Sequence, residues 1–427
     1  MNKIKETFLS YRGLPREIYV IFISRIINNL GCFVFPLLSL ILTQKIGLPK
    51  DAAGRYVTAL SIISVPSLLI GGKLVDTIGR RRIILISQSL GAIAIICCGF
   101  MKPSLMMAYT VMLSSVLFSL SSPAYDAMLA DLTTPENRKA SYSLLYMGMN
   151  VGFAIGPVIG GLLFKRYLKY VFIGDGITTI LSLVLVMVFV KETMGKDMDT
   201  ILKEERKEEA SVQGSVFSVL KTRPILIFFS LIMFCYAFEY SQWGFTLPLH
   251  LEDIFKGSGA SYFGTLACMN GFVVIALTPV ISKITHSIKP IKVIAMGGLF
   301  YGIAFGSFSF IRNYPLFLIF IIIMTMGEIM VTINSSTFIA NHTPASHRGR
   351  VSSILPLISG GGYAVGPMIM GKIITNNSFA FGWTIIGIIG FTSAFAMFLL
   401  ERVDKEKDSV EDKAFDEELG YVENSEL

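Results

Sequence analysis

The stretch Gly71–Arg82, "GGKLVDTIGRRR", sets one carboxylate and three consecutive arginines among glycines, between two long apolar runs. Of the 427 residues, 53% are hydrophobic and 16% charged, against roughly 25% charged in an average soluble domain. The apolar residues fall into blocks long enough to cross ~30 Å of hydrocarbon as helices. Twelve blocks are read, near 18–42, 52–75, 81–101, 104–130, 142–164, 170–190, 225–249, 260–282, 291–311, 315–340, 352–374 and 380–400. They are numbered here as spans 1 to 12, and the fold expected is an all-α membrane protein. The quoted stretch is the turn between spans 2 and 3.

The N-terminal "MNKIKETFLSYRGLPRE" leads into a full-length span without a short apolar core and small-residue cleavage site, so we expect no removable signal. With the N-terminus in the cytoplasm, 26 of the 37 Lys and Arg fall in cytoplasmic segments and 10 in outer loops. That asymmetry orients the chain by the positive-inside rule. An even number of spans returns the C-terminus to the cytoplasm. The excess of bases therefore reads as membrane topology, not nucleic-acid binding. The tail from Glu401 is acidic, with net charge −7. The expected organisation is a first half over 1–190, a cytoplasmic linker over 191–223, a second half over 224–400 and an acidic cytoplasmic tail over 401–427. Within the linker, "SVFSVLK" (215–221) has the pattern of a surface-lying amphipathic helix.

The chain repeats itself at an offset of 210 residues. "ADLTTPENRKASYSLLYMGMNVGFAIGP" from Ala130 overlies "ANHTPASHRGRVSSILPLISGGGYAVGP" from Ala340. Gly54 meets Gly264, Lys73 meets Lys283, and Gly156-Pro157 meets Gly366-Pro367. Such a repeat implies two six-helix bundles related by an axis along the membrane normal.

"GGKLVDTIGRRR" resembles the loop 2–3 motif of the major facilitator superfamily, through Gly72, Asp76, Gly79, Arg80 and Arg81. Twelve spans, a six-plus-six repeat and a central linker extend the likeness over the whole chain. "GFAIGPVIGG" is similar to the span 5 motif of the antiporter branch, through Gly152, Gly156, Pro157, Gly160 and Gly161, although Ser143 stands where that pattern begins with glycine. The same glycines also suit plain helix packing. The resemblance implies the major facilitator fold, alternating access and drug/proton antiport. It also implies that Asp76 caps span 11 near Arg350–Ser353 and that Arg80 pairs with Asp131. That network would join the halves when the protein faces outward and break when it faces inward.

Ionisable groups inside spans are functional candidates. Glu328, in "MGEIM" of span 10, resembles a Gly-Glu pair of drug/proton antiporters and is the first candidate for proton coupling. Glu239 in span 7 and Asp126 in span 4 follow. The expected substrate cavity draws on Arg25, Asn29, Tyr146, Asn150, Tyr236, Tyr240, Gln242 and Trp243. Its partners would be a small-molecule substrate, protons and the surrounding bilayer, with the chain a monomer in the plasma membrane. Neither a metal-ligand cluster, a phosphate-binding loop nor a nucleophile motif is present, so no cofactor and no enzymatic activity are expected. The five cysteines read as buried thiols, and the four histidines as solvated at span ends. Two functions compete: proton-driven export of lipophilic or cationic compounds, and proton-coupled uptake of a polar metabolite such as a sugar or organic acid.

Overall fold

The computed structural model describes residues 11–194, 223–343 and 348–425. The amphipathic segment expected at 215–221 lies outside them, and so do most of the linker and His347. The described residues form helices and no strands. Spans 2 to 6 are Lys50–Ile78, Arg80–Cys98, Leu105–Asp131, Pro135–Phe164 and Leu168–Phe189. Spans 8 to 11 are Gly259–Thr285, Pro290–Ser307, Tyr314–Asn341 and Arg348–Asn376. Span 12 is the apolar part, Phe379–Val403, of a helix that continues to Ser425, beyond the boundary expected at 400. Local chemistry sets several starts. Thr134 and Asn137 form a reciprocal cap on span 5, and proline opens spans 5, 7, 9 and 10, where no intrahelical N–H is needed.

Eleven described helices are long and apolar enough to cross a membrane. Span 1 is not among them, because it is broken. It runs as a helix over Arg16–Leu30, loses helical form through Gly31–Leu37, and resumes at Leu38–Leu40 and the π-helical Ile41–Lys45. The cause sits on span 6. One oxygen of Asp175 accepts the backbone N–H of Phe33 at 3.1 Å and of Val34 at 3.0 Å. A break inside a membrane is stable only when its freed donors find partners in the protein. Gly31 packs against Thr178, which leaves no room for a side chain there. Span 7 is interrupted too, between Pro224–Gly244 and Thr246–Ile254.

Within the first half, span 1 packs on spans 5 and 6, span 4 on spans 2 and 3, and span 3 on span 6. In the second half, span 7 packs on spans 11 and 12, span 10 on spans 8 and 9, and span 9 on span 12. The halves meet chiefly through two crossings, span 2 on span 11 and span 5 on span 8, with a smaller contact between Leu38–Leu40 of span 1 and Thr246–Ile254 of span 7. The crossings repeat each other. Gly54 lies against the Pro367 carbonyl, and its repeat mate Gly264 lies against the Pro157 carbonyl. Gly161 meets the Ala260 carbonyl, and Gly371 meets that of Lys50. All these contacts lie in the halves of the helices far from the Gly79 turn; this is the far side, and the other is the motif side. Gly152, Gly156 and Gly160 pack against span 1, through Asn29, Leu30 and Phe33. Here small residues let backbones touch, as helices in lipid require.

Two expectations are corrected. His250 is buried, not solvated: its Nδ1 accepts the Trp383 indole N–H at 3.0 Å, and its ring stacks on Phe379. Its sequence neighbours looked like a span end, but the second piece of span 7 carries it inward. Of the five cysteines only Cys98 is buried: Cys32, Cys235 and Cys268 are half-buried, and Cys97 is exposed because neighbours on a helix point about 100° apart.

The Asp175 break yields a prediction. Asp175→Ala strands two buried N–H groups, at about 1–3 kcal/mol each, and is expected to lower the thermal midpoint in detergent clearly. Asp175→Asn keeps an acceptor oxygen and is expected to remain close to wild type. Equal midpoints for the alanine variant and wild type would show that the break is held by something else.

Candidate functional site

The motif turn is a network of charges built on backbone groups. Gly79 has φ +106°, a region side chains avoid, and the Glu192 carboxylate fills the space a side chain would need. Glu192 follows span 6 directly. Its carboxylate accepts the backbone N–H of Arg80 at 3.0 Å, of Arg81 at 3.2 Å, of Thr193 at 3.1 Å and of Met194 at 3.2 Å. It thus serves the bare N-terminus of span 3, where orphan donors and the helix dipole favour an anion. Partial burial pushes the Glu192 carboxyl up, but these donors outweigh it and hold the group below the usual glutamate range.

Arg80 Nε lies 3.1 Å from Asp131 Oδ2 at the end of span 4, with both side chains largely shielded from solvent. The Thr193 hydroxyl donates to the same oxygen at 2.8 Å. Arg81 donates to the Met187 carbonyl. The turn is thereby tied to spans 4 and 6, all within the first half. Asp76, by contrast, is exposed, and an added side chain at Gly72 would meet nothing within 4 Å. The side chains around Arg350–Ser353, where a cap by Asp76 is expected, lie outside the described residues. Sequence reasoning missed Glu192 and Thr193; an acid immediately beyond a span end was the available signal.

Glu328 sits half-buried on span 10, where the halves face each other. Tyr240 of span 7 donates its hydroxyl to Oε1 at 2.9 Å, and Asn270 of span 8 donates its amide to Oε2 at 2.8 Å. Asn270 also donates to the Thr325 hydroxyl at 2.9 Å. Tyr146 of span 5, half exposed, stands within electrostatic reach of Glu328 from the opposite half. Asn150 is anchored to the Tyr146 carbonyl at 2.9 Å. On the first half, Asp126 is exposed on span 4 and interacts electrostatically with Arg25 and with Tyr142. The Arg25 guanidinium lies 4.5 Å from the Tyr125 ring centre.

The other expected cavity residues lie elsewhere. Glu239 is fully buried against span 12, with Ser393 Oγ 3.2 Å from Oε1 and Gly390 packed beside Oε2. Tyr236 is buried against Gly298 and Tyr301 of span 9. Gln242 is buried and bonded to Phe238 and Ser241 of its own helix and to Thr246 of the second piece of span 7. Trp243 packs on Phe263. Asn29 turns back to the Arg25 carbonyl at 2.9 Å. Span 7 thus splits its polar residues: Tyr240 reaches Glu328, and the rest serve packing of the second half. The polar stripe of span 7 did not distinguish these faces, because spans 9, 11 and 12 cover most of its circumference. Among the described residues no group of His, Cys, Asp and Glu could hold a metal ion.

A model of the Major Facilitator Superfamily matches residues 20–355 and 244–424. The chain belongs to the major facilitator superfamily. It is 26% identical over 400 residues to a Na(+), Li(+), K(+)/H(+) antiporter of Planococcus maritimus, covering 87% of this chain and 92% of that one. It is 26% identical over 149 residues to multidrug resistance protein 1 of Bacillus subtilis, 35% of this chain and 38% of the relative. The fold of a POT family transporter, solved in complex with a thioalcohol-conjugated peptide, superposes with TM-score 0.74 at 14% identity, over 92% of this chain and 99% of that one. As a superfamily member with many apolar helices, the chain is a multi-pass membrane transporter.

The anchoring of span 3 by Glu192 predicts a pH dependence. A carboxyl held below its unfolded value near 4.3 stabilises fully above that value, and the contribution is lost as pH falls through the folded one. The thermal midpoint of wild type is therefore expected to exceed that of Glu192→Gln at neutral pH, with the gap closing below about pH 4. A gap that is absent at neutral pH, or that persists in acid, contradicts this reading.

Proposed function

We propose that this chain is a proton-coupled antiporter that exports lipophilic or cationic small molecules by alternating access, with Glu328 as the group that exchanges proton for substrate. The observation that carries this is the placement of Glu328: half-buried on span 10, bonded within its own half, and faced by Tyr146 from the other. A carboxylate there attracts a cation that aromatic rings can flank, and a proton on it releases that cation. Asp126 and Arg25 extend the site on the first half. Glu239 has no route to the gap between the halves in this state, and we assign it a packing role in the second half.

By the positive-inside reading the motif side is cytoplasmic, so this state opens inward. Exposure of Asp76 and the space beside Gly72 fit a motif-side network that is apart, while Arg80–Asp131 persists within one half. In this reading closure of the motif side returns Asp76 to span 11 and opens the far side. The antiporter and multidrug resistance relatives support the direction of transport.

A second reading takes an alkali cation as substrate, following the Planococcus antiporter. Tyr240 and Asn270 each take one acceptor site on the Glu328 carboxylate, so an alkali ion there would share it with these two donors. The test uses purified protein in liposomes loaded with a pH-sensitive dye, under a preset proton gradient. Wild type and Glu239→Gln are expected to move protons on addition of a lipophilic cation, and Glu328→Gln is expected to lose at least about a hundred-fold of that rate, the size of removing a general acid–base group. Asp76→Asn is expected to insert normally and to lose most of its turnover. Proton movement driven by sodium or potassium alone would favour the second reading. Unchanged movement in Glu328→Gln would remove Glu328 from the mechanism.

A further inference from the structure

Thr58 is buried on span 2 near the far side. Its hydroxyl donates to the Ala364 carbonyl of span 11 at 2.7 Å and accepts the Met368 backbone N–H at 3.2 Å. Residues 364 and 368 are four apart, the donor and acceptor that an α-helix joins directly. A hydroxyl from one half therefore bridges a rung of the other half's helix. The bridge sits beside the contact of Gly54 with the Pro367 carbonyl, within the span 2–span 11 crossing.

We propose that Thr58 is the latch of the far-side closure, a positioning residue that sets how often the transporter opens on that side. Two features support this. The bridge is reversible without loss: when span 2 withdraws, the Met368 N–H and the Ala364 carbonyl can pair with each other, so neither is stranded in hydrocarbon. Thr58 itself can turn its hydroxyl back to its own helix, as serine and threonine do in membrane spans. The latch also belongs to one crossing only. At the offset of 210, the counterpart of Thr58 is Cys268, and the counterparts of Ala364 and Met368 are Ala154 and Val158. A thiol is a weak donor and a weak acceptor. The second crossing keeps the glycine–carbonyl contacts and gains a different bond, from Ser261 Oγ to the Gly161 carbonyl at 3.0 Å. The two crossings thus share their backbone fit and differ in how they are fastened, with the span 2 crossing held at a helical rung.

The consequence for transport rests on the alternating-access reading, but the latch is measurable without substrate. In a background with the five cysteines replaced, spin labels on Lys102→Cys and Asn377→Cys report the far side, one in each half. In a second sample, labels on Lys73→Cys and Lys283→Cys report the motif side. Thr58→Val removes the hydroxyl and keeps the shape, Thr58→Ala tests the same loss with a smaller residue, and Thr58→Ser keeps the hydroxyl. Wild type and Thr58→Ser are expected to share one pair of distance distributions. Thr58→Val and Thr58→Ala are expected to lengthen the far-side distance and shorten the motif-side one, changing the ratio of the two states about five-fold, as the net loss of one modest hydrogen bond would. Distributions unchanged in both the valine and alanine variants overturn the proposal, and so does a serine variant that shifts as far as valine. If Glu328→Gln retains proton movement while the Thr58 variants shift the distances, the coupling assignment fails and the latch stands.

Discussion

No backbone donor or acceptor can be left bare in hydrocarbon, and this constraint shapes each unusual place in the molecule. Where span 1 breaks, the Asp175 carboxylate takes the two freed N–H groups. At the membrane edge, where the Gly79 turn exposes the first donors of span 3, Glu192 takes them. Where the halves touch, glycines bring backbones close enough for carbonyls of one half to pack on helices of the other. A protein that must part and rejoin in a membrane needs contacts whose polar groups find partners in both arrangements.

The motif turn shows how this works beside charge. Arg80, Asp131, Glu192 and Thr193 tie the ends of spans 3, 4 and 6 together within the first half. Among the described residues, the contacts of that cluster all lie within the first half. Asp76, a few residues upstream, is exposed, and in the proposed cycle it is the member that makes or loses a contact across the gap. A bonded cluster next to one exposed carboxylate suits the proposed rocking motion between two packed halves, in which few residues change partner.

Much of this was legible in the residues. Twelve apolar blocks, the 210-residue repeat and the turn motif led to the fold. Arg80 and Asp131 come together as the resemblance implied. The repeat pairs Gly54 with Gly264 and Pro157 with Pro367, and the structure uses both pairs in two like crossings, Gly54 on Pro367 and Gly264 on Pro157. What escaped was whatever depends on which spans lie side by side. Asp175 lies in an apolar block like any other, and only the break in span 1 opposite it shows its task. Tyr236, Tyr240 and Glu239 share one helix within four residues, yet one reaches Glu328 while the others pack against spans 9 and 12. Asn270 gave no signal on its own, since its value lies in being 2.8 Å from Glu328.

The central claim is that one carboxyl group holds either a proton or a cationic substrate. It is tested most directly without a membrane, by following pH in weakly buffered detergent solution while a lipophilic monocation such as tetraphenylphosphonium is added to saturation. The account predicts proton release from wild type in proportion to cation bound, and binding without that release in Glu328→Gln. Equal release from both proteins, or cation binding to wild type with no proton released, would contradict it.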